Sequence, residues 1–373
     1  MEPAAPLPSG PDAIPGRARL RRQRGTTIAD VAHIAGVSVS TVSRVVRGKG
    51  EVGAETHARI EQIISETGYR PSSVARALVS GTTNTLGLLV DDLTNPFYPQ
   101  LAMAIEQEAR RHGYTVVICN TNDVPDDSLR DVKRLLDQGV DGLIHASVGL
   151  DEEAVLEALG DSRRIVFTNR RPLSPGVSYV TPDNRAGSTA LTRLLLEMGH
   201  RKIGFIAGPM WASNNQDRLA GFAEAMEVSG GEALIAPGGF VLEGGRQIVS
   251  QWVAEQNLPT AVIGVNDVVA LGALTGLAAA GIAVPRQVAV AGFDDILLAG
   301  SSFFGLTSVD LRTDEMGHQA VQVLLGRLSG DLKSPVQVQL EPHVIVRSTT
   351  VSIPRSSTPG QEYSTVGSHL DQR

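Results

Sequence analysis

The chain is short of several things, and each shortage narrows what it can be. Among 373 residues there is one cysteine, Cys119, so no internal disulfide framework is available and a reducing compartment suits it. No apolar run approaches the length of a membrane span. The first fifteen residues hold Pro, Ala, Glu2 and Asp12 but no apolar core segment, so no secretory signal is expected and the cytoplasm is the predicted location. Catalytic signatures are also missing: there is no G-x-S-x-G elbow, no P-loop and no H-E-x-x-H. The eight histidines are scattered without metal-ligand spacing. No cofactor, no metal and no enzymatic activity are therefore predicted.

What is present begins with an uneven charge. The formal net charge is −7, yet residues 17–81 carry 11 Lys and Arg against 5 Asp and Glu. Residues 82–373 carry 22 against 33, a balance of −11. Only the N-terminal part suits a polyanion. Within it, residues 1–25 read as a disordered basic arm, with Arg17, Arg19, Arg21, Arg22 and Arg24 either solvated or touching phosphates.

Residues 26–46 are two short helices around a tight turn. Thr27 can cap the first, with Asp30 completing a capping box, and Ile28, Val31, Ala32 and Ala35 share one face. Gly36 stops that helix and Ser38 can cap the next. There Val42, Val45 and Val46 point inward, leaving Val39, Ser40, Ser43, Arg44 and Arg47 outside. This is helix-turn-helix logic, in which one helix braces and the other enters the major groove. A small helical hairpin with a solvated polar face has the same pattern. A third helix over about 54–67, buried through Ala58, Ile60, Ile63 and Ile64, closes a small core and completes a domain over 26–70. Gly48, Gly50 and Gly53 match G-x-G-x-x-G but leave a helix rather than a strand, so they read as a loop. Residues 71–81 are a short helix-capable link.

From Thr85 strands and helices alternate. Continuous apolar strands are expected at 86–90, 115–119, 142–146, 165–168, 202–207, 261–265 and 288–291, with helices between, the first starting at Pro99. The predicted fold is an all-α helix-turn-helix head plus an α/β domain over 82–350, built of two doubly wound parallel-sheet lobes. Residues 351–373 read as a disordered tail. In such sheets ligands bind beyond the strands' carboxyl ends. The effector-binding candidates there are Asp92, Asn95, Phe97, Tyr98, Asn169, Arg170, Asn266 and Asp294. Arg218, on a following helix, and Phe240 join them. Asp91, Asn120, Asn122, Asp267 and Asp295 stand at similar positions. Amides, carboxylates and guanidinium groups with one or two aromatics suit a polyhydroxylated or similarly polar small molecule. Asp and Asn after strands are also common helix caps and turn residues.

Ordered matches then converge on one family. TTIADVAHIAGVSVSTVSRVV at 26–46, Tyr69-Arg70-Pro71 with Ala75-Arg76-Ala77-Leu78, and Asn95-Pro96-Phe97-Tyr98 carry the resemblance. So do Gly199-His200-Arg201-Lys202-Ile203, Arg218-Leu219-Ala220-Gly221-Phe222, Asn266-Asp267 and Gly292-Phe293-Asp294-Asp295. Over roughly 26–350 the chain resembles the LacI–GalR family of bacterial transcription regulators. The resemblance implies a homodimer on a near-palindromic double-stranded operator, and periplasmic-binding-protein-like lobes crossing near residues 182 and 312. It implies base reading by Val39, Ser40 and Arg44, and backbone contacts by Thr27, Ser38, Thr41, Ser43, Arg47 and Tyr69. It further implies a minor-groove hinge of Ser72, Ala75, Arg76 and Leu78. Physically, Val39 can meet a thymine methyl and Arg44 can donate to guanine. Arg47 stands where the family usually has Asn, and Asn169 where Asp is frequent. A solute-binding or sugar-processing α/β protein is the alternative; it would lack a DNA-binding head.

Overall fold

A computed structural model describes residues 26–47, 52–69, 81–122, 124–146 and 152–350. The arm at 1–25, the hinge residues Ser72, Ala75, Arg76 and Leu78, and the tail at 351–373 lie outside them. Contacts group the chain into two units, divided in sequence between Gly81 and Thr82.

The first unit holds α1 (Ile28–Ala35), α2 (Val39–Arg47) and α3 (Ala54–Thr67). Thr27 Oγ1 accepts the Asp30 N–H at 3.3 Å, while the Asp30 carboxylate takes the Thr27 N–H at 2.8 Å, completing the box at the positive end of the helix. Gly36, at φ 64°, turns the chain out of α1 in a conformation that favours glycine. The Thr41 N–H donates to Ser38 Oγ at 3.2 Å, so Ser38 caps α2. Gly53 precedes α3 and offers no side-chain cap. The core is Val31, Ala32, Ala35, Val42, Val45, Ile60 and Ile63, with Ile28, Val46, Ile64 and Tyr69 partly buried around it. Ala58 is exposed, against expectation: it lies two positions before Ile60, almost across the helix from the buried stripe.

The second unit contains two six-stranded sheets. The first runs β11-β5-β4-β3-β1-β2, from Gln337–Leu340, Ser178–Pro182, Ile165–Thr168, Gly142–His145, Thr85–Val90 and Thr115–Asn120. The second runs β12-β10-β9-β8-β6-β7, from His343–Ile345, Thr307–Asp310, Ala289–Phe293, Ala261–Gly264, Lys202–Ala207 and Glu232–Pro237. All pairings are parallel except β10 with β12. The helices are α4 (Phe97–Arg111), α5 (Pro125–Asp137), α6 (Glu152–Leu159) and α7 (Asn184–Glu197). They continue with α8 (Ser213–Ser229), α9 (Leu242–Ala254), α10 (Asp267–Ala279) and α11 (Thr313–Ser329).

The sheet order makes the lobes. Lobe 1 is residues 82–182 plus 313–340, and lobe 2 is 183–312 plus 341–350. The chain crosses between β5 and α7 and between β10 and α11, where the sequence predicts it. A third crossing, between β11 and β12, was not expected. Five strands also depart from expectation, β5, β7, β10, β11 and β12. Strands β7, β11 and β12 lie at sheet edges and are largely exposed or half-buried, while β5 and β10 are broken by Ser and Thr, so none of the five is a buried continuous apolar run. Helix α4 begins at Phe97 behind Pro96, two residues before the predicted Pro99. The β1 and β4 cores, Leu86 to Val90 and Ile165 to Phe167, are fully buried, as continuous apolar strands covered on both faces should be.

Candidate functional site

Two surfaces concentrate the candidate side chains. On the head, α2 turns Val42 and Val45 into the core, and helical periodicity leaves Val39, Ser40 and Arg44 exposed together. Ser43 and Thr41 are half-buried beside them. Ser38 Oγ lies 2.7 Å from Ser40 Oγ and 2.9 Å from Thr41 Oγ1, so the three hydroxyls form one cluster at the start of α2. Thr27 is committed to its capping box, and Tyr69 packs partly against the core.

Between the lobes lies a cavity of about 390 Å³. All ten effector-site candidates line it: Asp92, Asn95, Phe97, Tyr98, Asn169, Arg170, Arg218, Phe240, Asn266 and Asp294. Asp91 and Asn122 join them from strand ends, and Pro209, Asn214 and Val241 complete the wall. Val241 follows the unpredicted β7, whereas Pro209 and Asn214 lie between the predicted β6 and Arg218 and were not among the candidates. Asp295 and Asp267 are not in the wall. Asp295 pairs with Arg347 at 2.6 Å. Asp267 is fully buried behind the wall, accepting the Ile296 N–H at 2.9 Å and the Ser308 hydroxyl at 2.6 Å.

Each lobe contributes one buried carboxylate–guanidinium pair. From lobe 1, Asp91 meets Arg170 at 2.5 Å and accepts the Tyr98 hydroxyl at 2.6 Å. From lobe 2, Arg218 Nη2 donates to Asp294 Oδ1 at 3.4 Å, Nη1 to the Val265 carbonyl at 2.6 Å and Nε to Asn184 Oδ1 at 2.8 Å. Its guanidinium lies 4.7 Å from the Phe293 ring centroid. The α8 helix supplies Arg218 one turn and a half from its start, which brings the side chain to the strand ends.

Burial dominates the electrostatics of the second pair. It pushes the Asp294 carboxyl up to about 7, against the Arg218 charge, which pulls the other way. The Arg218 guanidinium is pushed down by the same burial. Burial, then the charge of Asp294, raises Asp267 well above the usual carboxylate range. Asp294 also sits at φ 104°, a backbone conformation unfavourable to a side chain and held by its neighbours.

Several wall residues also shape the turns. Asp92 Oδ1 accepts from the Thr94 N–H at 2.8 Å, Asn95 Oδ1 from the Phe97 N–H at 3.1 Å, and Asn266 Oδ1 from the Val269 N–H at 2.8 Å. Asn266 Nδ2 donates to the Phe240 carbonyl at 3.3 Å and so fixes that aromatic. The Phe240 ring needs glycine at 208, where a Cβ would lie 2.6 Å from it. Asn169 adopts φ 66°, which asparagine tolerates better than most residues.

Comparison with known proteins fits both surfaces. Residues 27–72 match the model for bacterial regulatory proteins of the lacI family, and 192–350 that for a periplasmic binding protein-like domain. The HTH-type transcriptional regulator DegA of Bacillus subtilis is 34% identical over 333 residues, covering 87% of this chain and 98% of the relative. The chain belongs to the LacI family. The transcriptional repressor PurR of Pasteurella multocida is 30% identical over 332 residues, 87% of this chain and 99% of that one. Among solved structures, the Lac repressor dimer bound to operator and an anti-inducer matches with TM-score 0.81 and 27% identity, over 88% of this chain and 100% of that one. A CelR–cellobiose complex matches with TM-score 0.66 and 31% identity, over 87% and 99%. This LacI-family chain is accordingly a DNA-binding transcriptional regulator with a helix-turn-helix head and two periplasmic-binding-protein-like lobes. Among the described residues no helix is long and apolar enough to cross a membrane.

Proposed function

We propose that the protein represses transcription in the cytoplasm as a homodimer, by binding rather than by catalysis. Two heads read the half-sites of a near-palindromic operator, and a neutral polyhydroxylated molecule between the lobes alters operator affinity. One observation carries the effector class: the cavity's two buried arginines, one per lobe, each face a carboxylate. The wall holds three carboxyl groups, Asp91, Asp92 and Asp294, against these two guanidinium groups, so it carries no surplus positive charge for an anionic ligand, and the pairs and wall amides supply polar donors and acceptors for hydroxyl groups. One structural relative was solved with cellobiose, which agrees with a saccharide.

On the head, Val39, Ser40 and Arg44 read bases, while Thr27, Ser38, Thr41, Ser43, Arg47 and Tyr69 position the backbone. Ser72, Ala75, Arg76 and Leu78 form the hinge, with Leu78 wedging the minor groove at the operator centre. The effector acts by population shift: it binds one lobe angle more tightly than another, and the hinges follow that angle.

Calorimetry of the full chain against a panel of neutral mono- and disaccharides, with sugar acids and sugar phosphates alongside, tests the reading. A neutral sugar that binds the wild type and fails with Arg218→Ala is expected. Binding confined to the charged sugars would contradict the effector class.

A further inference from the structure

The segment leaving β4 reaches across the cleft at three points. The Arg171 backbone N–H donates to Ser213 Oγ at 2.9 Å, and its guanidinium pairs with Asp217 at 3.3 Å. Arg170, held on lobe 1 by Asp91, lays its guanidinium 4.8 Å from the Trp211 ring centroid and 5.6 Å from that of Phe240. Arg170 lines the cavity, whereas Arg171 does not and stands at its rim, about half exposed. On lobe 2, Trp211, Ser213 and Asp217 all belong to α8 or its approach, next to Arg218.

We propose that Arg171 is a positioning residue which, with Arg170 behind it, latches lobe 1 to the start of α8 and holds the lobes together without a ligand. Three separate interactions join one short segment to one helix end, so relative motion of the lobes must break them as a unit. The inner contact sets a buried guanidinium against half-buried rings, and cation–π attraction strengthens as water is excluded. The outer ion pair is solvent-exposed and contributes modestly, a factor of about 1.5 to 5 in an equilibrium constant. That outer pair can be changed without disturbing the core or the cavity wall. The latch is independent of which ligand the cleft accepts. Its effect on operator affinity rests on the proposed coupling between lobe angle and DNA.

The test measures lobe separation in the full, ligand-free chain. Spin labels are placed at Glu157→Cys on α6 and Glu227→Cys on α8, both exposed, in a Cys119→Ser background. Dilution with unlabelled protein leaves only pairs within one protomer. Arg171→Glu should shift and broaden the distance distribution, Asp217→Arg should do the same, and the double charge swap should return it towards wild type. An unchanged distribution in Arg171→Glu, or a double variant no nearer wild type than the singles, would overturn the latch. Operator titration of the same proteins reads the coupling: a change of about 1.5- to 5-fold in the singles, reversed in the swap, supports it. Distances that move while operator affinity stays fixed would overturn the coupling and leave the latch standing.

Discussion

The head and the lobes use the same kinds of side chain in opposite settings. Arg44 and Ser40 stand exposed on α2, over a core of seven small or β-branched residues and, among the described residues, no fully buried charge. Arg218 and Arg170 are each about 1% exposed, facing carboxylates inside the lobes. An exposed guanidinium is a hydrated charge available to a large polyanion, whose groove removes its water only on binding. A buried, paired guanidinium has already given up its water, and its remaining N–H groups are fixed for a small polar ligand. Exposure suits reading DNA; burial suits recognising a metabolite.

Breaking the pairs should therefore hurt the lobes far more than the head. Arg218→Ala strips Asp294, the Val265 carbonyl and Asn184 Oδ1 of a buried donor and should cost lobe stability about 1–3 kcal/mol for each acceptor left unsatisfied, measured by chemical denaturation. It should abolish the effector response while effector-independent operator binding survives. Asp294 sharpens the contrast through pH. Its folded value of about 7 lies above its ordinary 3.8, so the folded state holds a proton that the unfolded state loses. The stability it contributes is complete below about pH 4, falls as pH rises towards 7, and is level beyond. Relative to Asp294→Asn, the wild type should lose on the order of 4 kcal/mol across that window. A flat difference would mean that Asp294 is ionised when folded.

On the exposed side the effects are smaller and of another kind. Arg44→Ala should cost about 1–3 kcal/mol of discrimination at one operator position, read by titration against single-base variants. Equal loss on every sequence would make it a backbone contact. Thr27→Ala removes one half of the capping box and should lower head stability by about 1 kcal/mol, measured by thermal unfolding of the full chain.

Much of this was legible in the residue pattern, for identifiable reasons. The capping box at Thr27 and Asp30 is local chemistry, and so is the stop at Gly36. Buried strands such as Leu86–Val90 announce themselves as unbroken apolar runs, and the residues after them fall at the cleft because the parallel topology puts them there. Strand β7, Glu-Ala-Leu-Ile-Ala-Pro at a sheet edge, holds only a four-residue apolar run that is exposed or half-buried, and missing it hid Val241. Pro209 stands just past the predicted β6 but has no polar side chain to nominate it, and Asn214 reaches the cavity because α8 begins beside it. The pairing of Arg171 with Asp217, forty-six residues apart, and the positive φ of Asp294 are properties of the assembled lobes and have no counterpart in periodicity.

The most direct test joins the two regions in one experiment. Operator affinity of the full chain is measured by titration at fixed salt, with and without a saccharide that calorimetry has shown to bind in the cleft. Saturating sugar should change the operator dissociation constant by about 5- to 150-fold in the wild type and leave it unchanged in Arg218→Ala. A sugar that fills the cleft at one per protomer while operator affinity stays constant would contradict the account.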